Sequence, residues 1–181
     1  MKTSDGDSMA ARLLARLARV EHALTFVAFA ILIVAVFADV LSREFSGTGL
    51  HWARQTGVYA NVVVVMFGLG IASGGGAHLR PRFADGWLPA SFGPVLNRLN
   101  DLGMAAFCIA FAVVAAGVVA ESIALQERSV ALRIAVWPFQ SAVPAAFAIA
   151  GLRHLLYAVF PDLRPAESGA LAAGGESRGA G

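Results

Sequence analysis

The fold of this chain follows from one stretch near its N-terminus, VEHALTFVAFAILIVAVFADVL (Val20–Leu41). It has no Lys or Arg, and its two acidic residues, Glu21 and Asp39, stand near its ends. The hydrocarbon core of a bilayer is about 30 Å thick, so an α-helix needs on the order of 20 predominantly apolar residues to cross it. The stretch therefore predicts a transmembrane helix.

Three further apolar runs follow, at about residues 56–73, 102–120 and 134–156. The chain is 57% hydrophobic and only 14% charged, whereas soluble domains carry roughly a quarter charged residues. This leaves too little polar surface to cover four such helices in water. The sequence thus predicts an all-α membrane protein with four transmembrane helices in one membrane domain, residues 20–160.

The distribution of Lys and Arg predicts the orientation. Ten of the fourteen lie before the first span, between the second and third, or after the fourth, and the other four lie in the two remaining loops. By the positive-inside rule both termini and the central loop are cytoplasmic. Because the basic residues are spread along the chain, nucleic acid is not an expected partner.

The segments outside the spans have their own patterns. Residues 1–19 place Arg12, Arg16 and Arg19 on one helical stripe beside a stripe of Leu and Val. This predicts an amphipathic lead-in at the cytoplasmic interface; a merely solvated basic segment is the alternative. The central loop mixes Arg, Phe and Trp and is expected to rest on lipid headgroups. Residues 161–181 are rich in Ala, Gly, Ser and Glu, which predicts a disordered cytoplasmic tail.

The chemistry-bearing residues are few. No phosphate-binding loop, HExxH or CxxC motif occurs, so we expect no enzymatic activity, metal or cofactor. A carrier needs polar groups near the bilayer midplane, but the expected mid-depth positions are apolar. His22 and His154 fall at similar depth near the cytoplasmic ends of the first and fourth spans, which keeps a haem-bearing membrane anchor of a redox enzyme as the alternative.

The polar residues that enter the spans are expected at one depth, toward the periplasmic face. Asp39 and Arg43 are four residues apart and can pair on a helix face. These residues either close the outer end of the bundle or bind a partner chain. They are Asp39, Asn61, Glu121 and Gln140.

Two prolines mark the start of the fourth span. Pro138 fits a first helical turn, where its missing N–H costs nothing. Pro144 lies deeper and is expected to kink the helix, unless the regular helix begins later than residue 134.

A set of degenerate motifs in a fixed order carries a family resemblance over roughly residues 20–156. They are Val20-Glu21, Asp39-Val40-Leu41-Ser42-Arg43-Glu44-Phe45, Leu50-His51-Trp52, Phe67-Gly68-Leu69-Gly70, His78-Leu79, Leu88-Pro89, Ser129-Val130-Ala131-Leu132-Arg133-Ile134 and Trp137-Pro138. The chain resembles the small membrane subunit (DctQ type) of tripartite ATP-independent periplasmic (TRAP) transporters. It departs from the family where Trp52 is followed by Ala53-Arg54-Gln55 instead of acidic residues, so a contact made by those acids would differ in charge here.

The resemblance implies a non-catalytic scaffold subunit in the bacterial inner membrane. Its implied partners are a large multi-spanning permease with the substrate and sodium sites, a periplasmic solute-binding protein and membrane lipid. The implied solutes are carboxylates, and the loops around 43–54 and 128–133 are implied to help dock the binding protein. The candidate structural or partner-contact residues are Asp39, Arg43, Trp52, Arg54, Asn61, Glu121, Arg133 and Gln140.

Overall fold

The computed structural model describes residues 5–74 and 93–163, with side chains for 8–72 and 97–163. The chain is helical throughout these ranges apart from short turns, and they contain no β-strand. The helices are α1 (Asp5–Ser46), α2 (His51–Gly74), α3 (Gly93–Ala124), α4 (Trp137–Gln140) and α5 (Ala142–Val159), followed by a 3₁₀ turn at Pro161–Leu163. Four stretches of these helices are long and apolar enough to cross a membrane, which confirms the predicted all-α membrane fold.

The helices extend beyond the apolar runs. α1 runs unbroken from Asp5, so the basic lead-in and the first span form a single helix. α2 begins at His51, and α3 begins at Gly93 within the predicted central loop. Ala, Leu and Arg are strong helix formers whatever their polarity, so apolarity marks the membrane part of a helix and not its ends. Residues 75–92 and 164–181, with most of the predicted interfacial loop and tail, lie outside the described residues.

The four spans form a layer. α1 packs along α2, α3 packs along α5, and α2 joins the two pairs by packing against α5. The order across the layer is therefore α1, α2, α5, α3, which differs from a closed four-helix bundle. The most apolar window of α5 is 39% buried and that of α3 only 11%, as expected for an inner and an outer helix of such a layer.

Small residues line the seams between helices. Ala28 and Ala35 of α1 are buried, as are Ala53 and Ala60 of α2, while the larger apolar side chains point outward. A membrane gives no hydrophobic driving force between helices, so close approach over small residues is a main source of packing energy.

Pro144 lies in the first turn of α5, where no intrahelical N–H donor is required. α4 and α5 are separated at Ser141, which keeps helical backbone angles. Pro144 has no N–H to donate to the carbonyl of Gln140, and this accounts for the interruption. The regular helix thus begins later than residue 134.

Candidate functional site

A polar cluster holds the turn between α1 and α2. Asp39 is only 7% exposed; one carboxylate oxygen accepts a hydrogen bond from the backbone N–H of Leu50 (2.7 Å), and the other is paired with Arg43. The pairing of Asp39 with Arg43 is thereby confirmed. We call Asp39, Arg43 and Arg54, grouped around Gly49, the turn cluster.

Gly49 lies in the middle of the turn cluster, at a position where a side chain would collide with the surrounding groups. A Cβ on Gly49 would stand 2.8 Å from Asp39 Oδ1, 2.9 Å from Arg43 Nε and 3.3 Å from Arg54 Nη2. The cluster contains two guanidinium groups and one carboxylate. Arg43 and Arg54 are both exposed, as is the neighbouring Glu44, so this turn presents charges of both signs.

The second loop at this end is folded onto the first. Gln55 Oε1 accepts a hydrogen bond from the backbone N–H of Ala131 (2.9 Å). Within the loop the buried Ser129 donates its N–H to Ile134 and accepts one from Leu132 at its hydroxyl. Arg133 adopts a positive φ of 53° and is exposed. Arg43, Arg54 and Arg133 therefore lie at the same end, which we call the loop end.

The remaining predicted residues are dispersed. Trp52 is half exposed at the start of α2. Gln140 is partly buried, and its amide lies 3.5 Å from Glu127. Glu121 is exposed near the end of α3. Asn61 is exposed on α2, ten residues after the helix begins at His51 and within the apolar run 56–73.

The opposite end of the layer holds a polar cluster that the sequence analysis did not identify. Glu21 of α1 is fully buried and paired with Arg153 of α5, which is 3% exposed. Arg153 also donates to the backbone carbonyl of Gly70 in α2. One buried guanidinium therefore connects three helices. The expectation that polar residues within the spans gather only at the periplasmic end is wrong.

The fourth helix joins at the same end. His154 Nδ1 lies 3.4 Å from Asp101 Oδ1 of α3, and both residues are buried. We call Glu21, Arg153, His154 and Asp101 the terminal-end cluster. The sequence does contain an indication of this cluster. Because the four spans alternate in direction, the start of α1 and the end of α5 lie at the same end of the layer, and so do the residues found there. The same match in depth that relates His22 to His154 also holds for their sequence neighbours Glu21 and Arg153.

The two histidines of the haem alternative have different surroundings. His22 is exposed, and its Nδ1 is 2.7 Å from the Ala18 carbonyl of its own helix. His154 is directed at Asp101. No group of three or more His, Cys, Asp or Glu side chains suited to a metal ion occurs among the described residues. The haem alternative is not supported.

An apolar groove of about 300 Å³ opens between α2 and α3 near the loop end. Tyr59 and Phe139 stack in its wall with ring centroids 4.4 Å apart. Val62, Val118 and Val143 complete most of the lining, and the amide of Gln140 stands at its edge. The groove is lined almost entirely by carbon, which fits a lipid-facing depression and not a site for an ionic solute.

Comparison with known proteins gives one match. The family model of tripartite ATP-independent periplasmic transporters, DctQ component, matches residues 32–164. No curated protein and no solved structure matches the chain. The matched range includes α2, α3, α4 and α5 and the part of α1 that carries the turn cluster.

Proposed function

This chain belongs to the family of DctQ components of tripartite ATP-independent periplasmic transporters, and we propose that it acts as the small, non-catalytic scaffold subunit of such a transporter. Members of this family work with a large permease and a solute-binding protein. We propose further that this transporter is sodium-coupled, takes up carboxylate solutes and lies in the bacterial inner membrane.

One observation supports a scaffold role above others: the buried acidic residues of the described spans have partners within this chain, and two of the three pairs join different helices. Glu21 is paired with Arg153, Asp101 with His154, and Asp39 with Arg43. A carrier needs polar groups that are available to a solute at mid-depth. Polar side chains that contact one another at the ends of the layer instead hold the helices of this chain together.

The loop end is the proposed contact for the solute-binding protein. Arg43, Arg54 and Arg133 are exposed there, and the orientation expected from the positive-inside rule makes this end periplasmic. Exposed cations steer association with an acidic surface and make its rate dependent on salt. The exposed acids Glu44, Glu121 and Glu127 lie at the same end, so we propose that the binding protein presents charges of both signs to it.

Co-purification tests the function. The affinity-tagged chain is co-expressed with the large permease from the same transporter and extracted in mild detergent. We expect the permease to co-elute in a fixed ratio. An unrelated tagged four-span protein is the negative control and should retain no permease. If this chain elutes as a monomer and retains no more permease than the control, the proposal is contradicted.

A further inference from the structure

Asn61 is an exposed amide within the apolar run of a membrane-spanning helix. It lies in the first third of the run 56–73 of α2, and the described part of the chain gives its side chain no hydrogen-bond partner. Asn61 lies on a stripe of exposed residues spaced three or four apart along α2. The stripe, called the Asn61 stripe below, consists of Arg54, Val58, Asn61, Val65, Leu69 and Ala72.

Apart from Val58, which lines the apolar groove beside α3, the Asn61 stripe faces away from the other described helices. α2 packs on α5 through Val63, Met66 and Phe67, which lie outside the stripe. Val58, Val65 and Leu69 are 58%, 44% and 62% exposed. Among the described residues, no other helix of this chain covers Val65 or Leu69.

Lipid is an unfavourable neighbour for this position. Acyl chains offer no hydrogen-bond partner to an amide, and polar groups within membrane spans are costly and usually face protein. An Asn side chain that finds a partner on a facing helix contributes to association instead. The chemistry at Asn61 thus requires a membrane helix with a hydrogen-bonding group at the same depth.

Gly68 gives the Asn61 stripe a shape suited to a close-packed helix. It borders the stripe near Leu69, and a Cβ added to it would meet nothing within 4 Å. Its missing side chain is therefore not required by packing within this chain. Small residues at membrane interfaces let two helix backbones approach closely.

A second copy of the chain is a poor occupant. Two parallel copies related by a two-fold axis along α2 would bring Arg54 against Arg54 at the loop end. The turn cluster already carries two guanidinium groups and one carboxylate, so two copies would repel there. Charge thus favours a different protein.

We infer that the Asn61 stripe is the surface on which the large permease packs, through a membrane helix that offers a hydrogen-bond donor or acceptor to Asn61. This inference rests on the proposed function, since the permease is the membrane-spanning partner in such a transporter. Beyond the proposed function, the inference states which helix of this chain contacts the permease, which face of that helix does so, and that Asn61 makes the main polar contact.

Two glycine substitutions separate packing within the chain from packing against the permease. Gly68→Leu adds a side chain beside the Asn61 stripe, and Gly117→Leu adds the same side chain on the exposed face of α3, where a Cβ also meets nothing within 4 Å. Both variants alone should unfold like the wild type. We expect Gly68→Leu to lower permease co-purification about tenfold and Gly117→Leu to leave it unchanged.

Two further measurements keep the inference testable if Gly68→Leu fails to fold. Asn61→Leu should weaken co-purification about three- to tenfold, the range that one interhelical hydrogen bond gives in a membrane. A photo-crosslinking amino acid at Val65 should form an adduct with the permease, whereas one at Val114, 69% exposed on α3, should not.

The outcomes distinguish this inference from the proposed function. If the wild-type chain retains the permease but Val65 labels only lipid or a second copy, the Asn61 stripe is not the permease surface and the proposed function still stands. The same holds if Gly68→Leu and Asn61→Leu retain the permease as the wild type does. If the wild-type chain retains no permease, the proposed function fails and the inference fails with it.

Discussion

Glu21 and Arg153 are buried together where three helices meet. Taking two charges out of water is costly, and their attraction offsets the cost only while both are present. Arg153 further satisfies the carbonyl of Gly70 near the end of α2. The pair therefore fixes how α1, α2 and α5 meet, and each partner depends on the other.

Removing one member of the pair should cost more than removing both. We expect Arg153→Leu to lower the free energy of unfolding by about 3–5 kcal/mol, because Glu21 is left buried and unpaired. The double variant Glu21→Leu/Arg153→Leu should recover most of this loss. Reversible unfolding in mixed micelles measures both, with the exposed His22→Leu as the control. Losses that simply add would show that the two charges are not coupled.

The turn cluster leaves no space for a side chain at Gly49. A methyl group at Gly49 would stand 2.8 Å from Asp39 Oδ1 and 2.9 Å from Arg43 Nε, so Gly49→Ala must displace the carboxylate or the turn. We expect a loss of about 1–3 kcal/mol, as for other overpacked sites. The matched control is Gly117→Ala, where a Cβ meets open space. Equal thermal stability of the two variants in detergent would contradict the arrangement.

At the scale of the helices, α3 and α5 are in close contact at Gly151. A Cβ there would lie 3.4 Å from Cys108 Cβ and 3.1 Å from Ile109 Cγ1. Disulfides join Cβ atoms about 3.5–4.5 Å apart. The seam thus places residue 151 within bonding reach of the chain's single cysteine.

A disulfide test follows from this contact. Mild oxidation of Gly151→Cys should consume both thiols and join α3 to α5, because the two sulfur atoms fall within reach after a small shift of Ile109. Thiol titration of the denatured protein measures the reaction. In the control Gly117→Cys both thiols should stay free in the monomer. Two free thiols in oxidised Gly151→Cys would contradict the α3–α5 packing.

The number and type of the spans could be predicted because each apolar run is long enough to cross a bilayer, and composition alone leaves no other way to bury it. The first and last residues of the helices could not be predicted from the apolar runs. α1 starts at Asp5 and α2 at His51 because helix propensity, unlike hydropathy, does not change at the membrane surface. Pro144 did indicate a late start for the last regular helix.

Which helices touch could not be read from apolar runs, because Leu or Val on one span is compatible with any neighbour. The turn cluster was partly predictable, since Asp39 and Arg43 lie four residues apart on one helix. Glu21 and Arg153 are separated by more than a hundred residues, so only the antiparallel order of the spans relates them. Asn61 was identified as a contact candidate because it is a polar residue inside an apolar run, but its exposure in the folded chain could not be read from the sequence.

At the scale of the whole molecule, the order α1, α2, α5, α3 leaves two broad faces of the layer that the other described helices do not cover. A layer of this kind has little interior of its own, and its most buried span window is only 39% buried. That geometry suits a chain that lies against a larger membrane protein. It also places both loop-end turns on one side of the membrane.

The orientation can be tested with single cysteines in a Cys108→Ser background. Cysteines at Ser46 and Arg128 should react with a membrane-impermeant maleimide applied to intact spheroplasts, because the positive-inside rule places the loop end outside. A cysteine at Ser8 should react only after the membrane is opened. Labelling of Ser8→Cys alone in intact spheroplasts would reverse the topology and remove the loop end as a docking site.

The central claim is that this chain supports transport without carrying the solute. The most direct test is sodium-driven uptake into proteoliposomes, using the binding protein, the large permease and this chain, with a solute chosen by thermal shift of the binding protein. We predict uptake with all three proteins, its loss when this chain is left out, and none with this chain alone. Uptake by this chain alone, or full uptake without it, would contradict the claim.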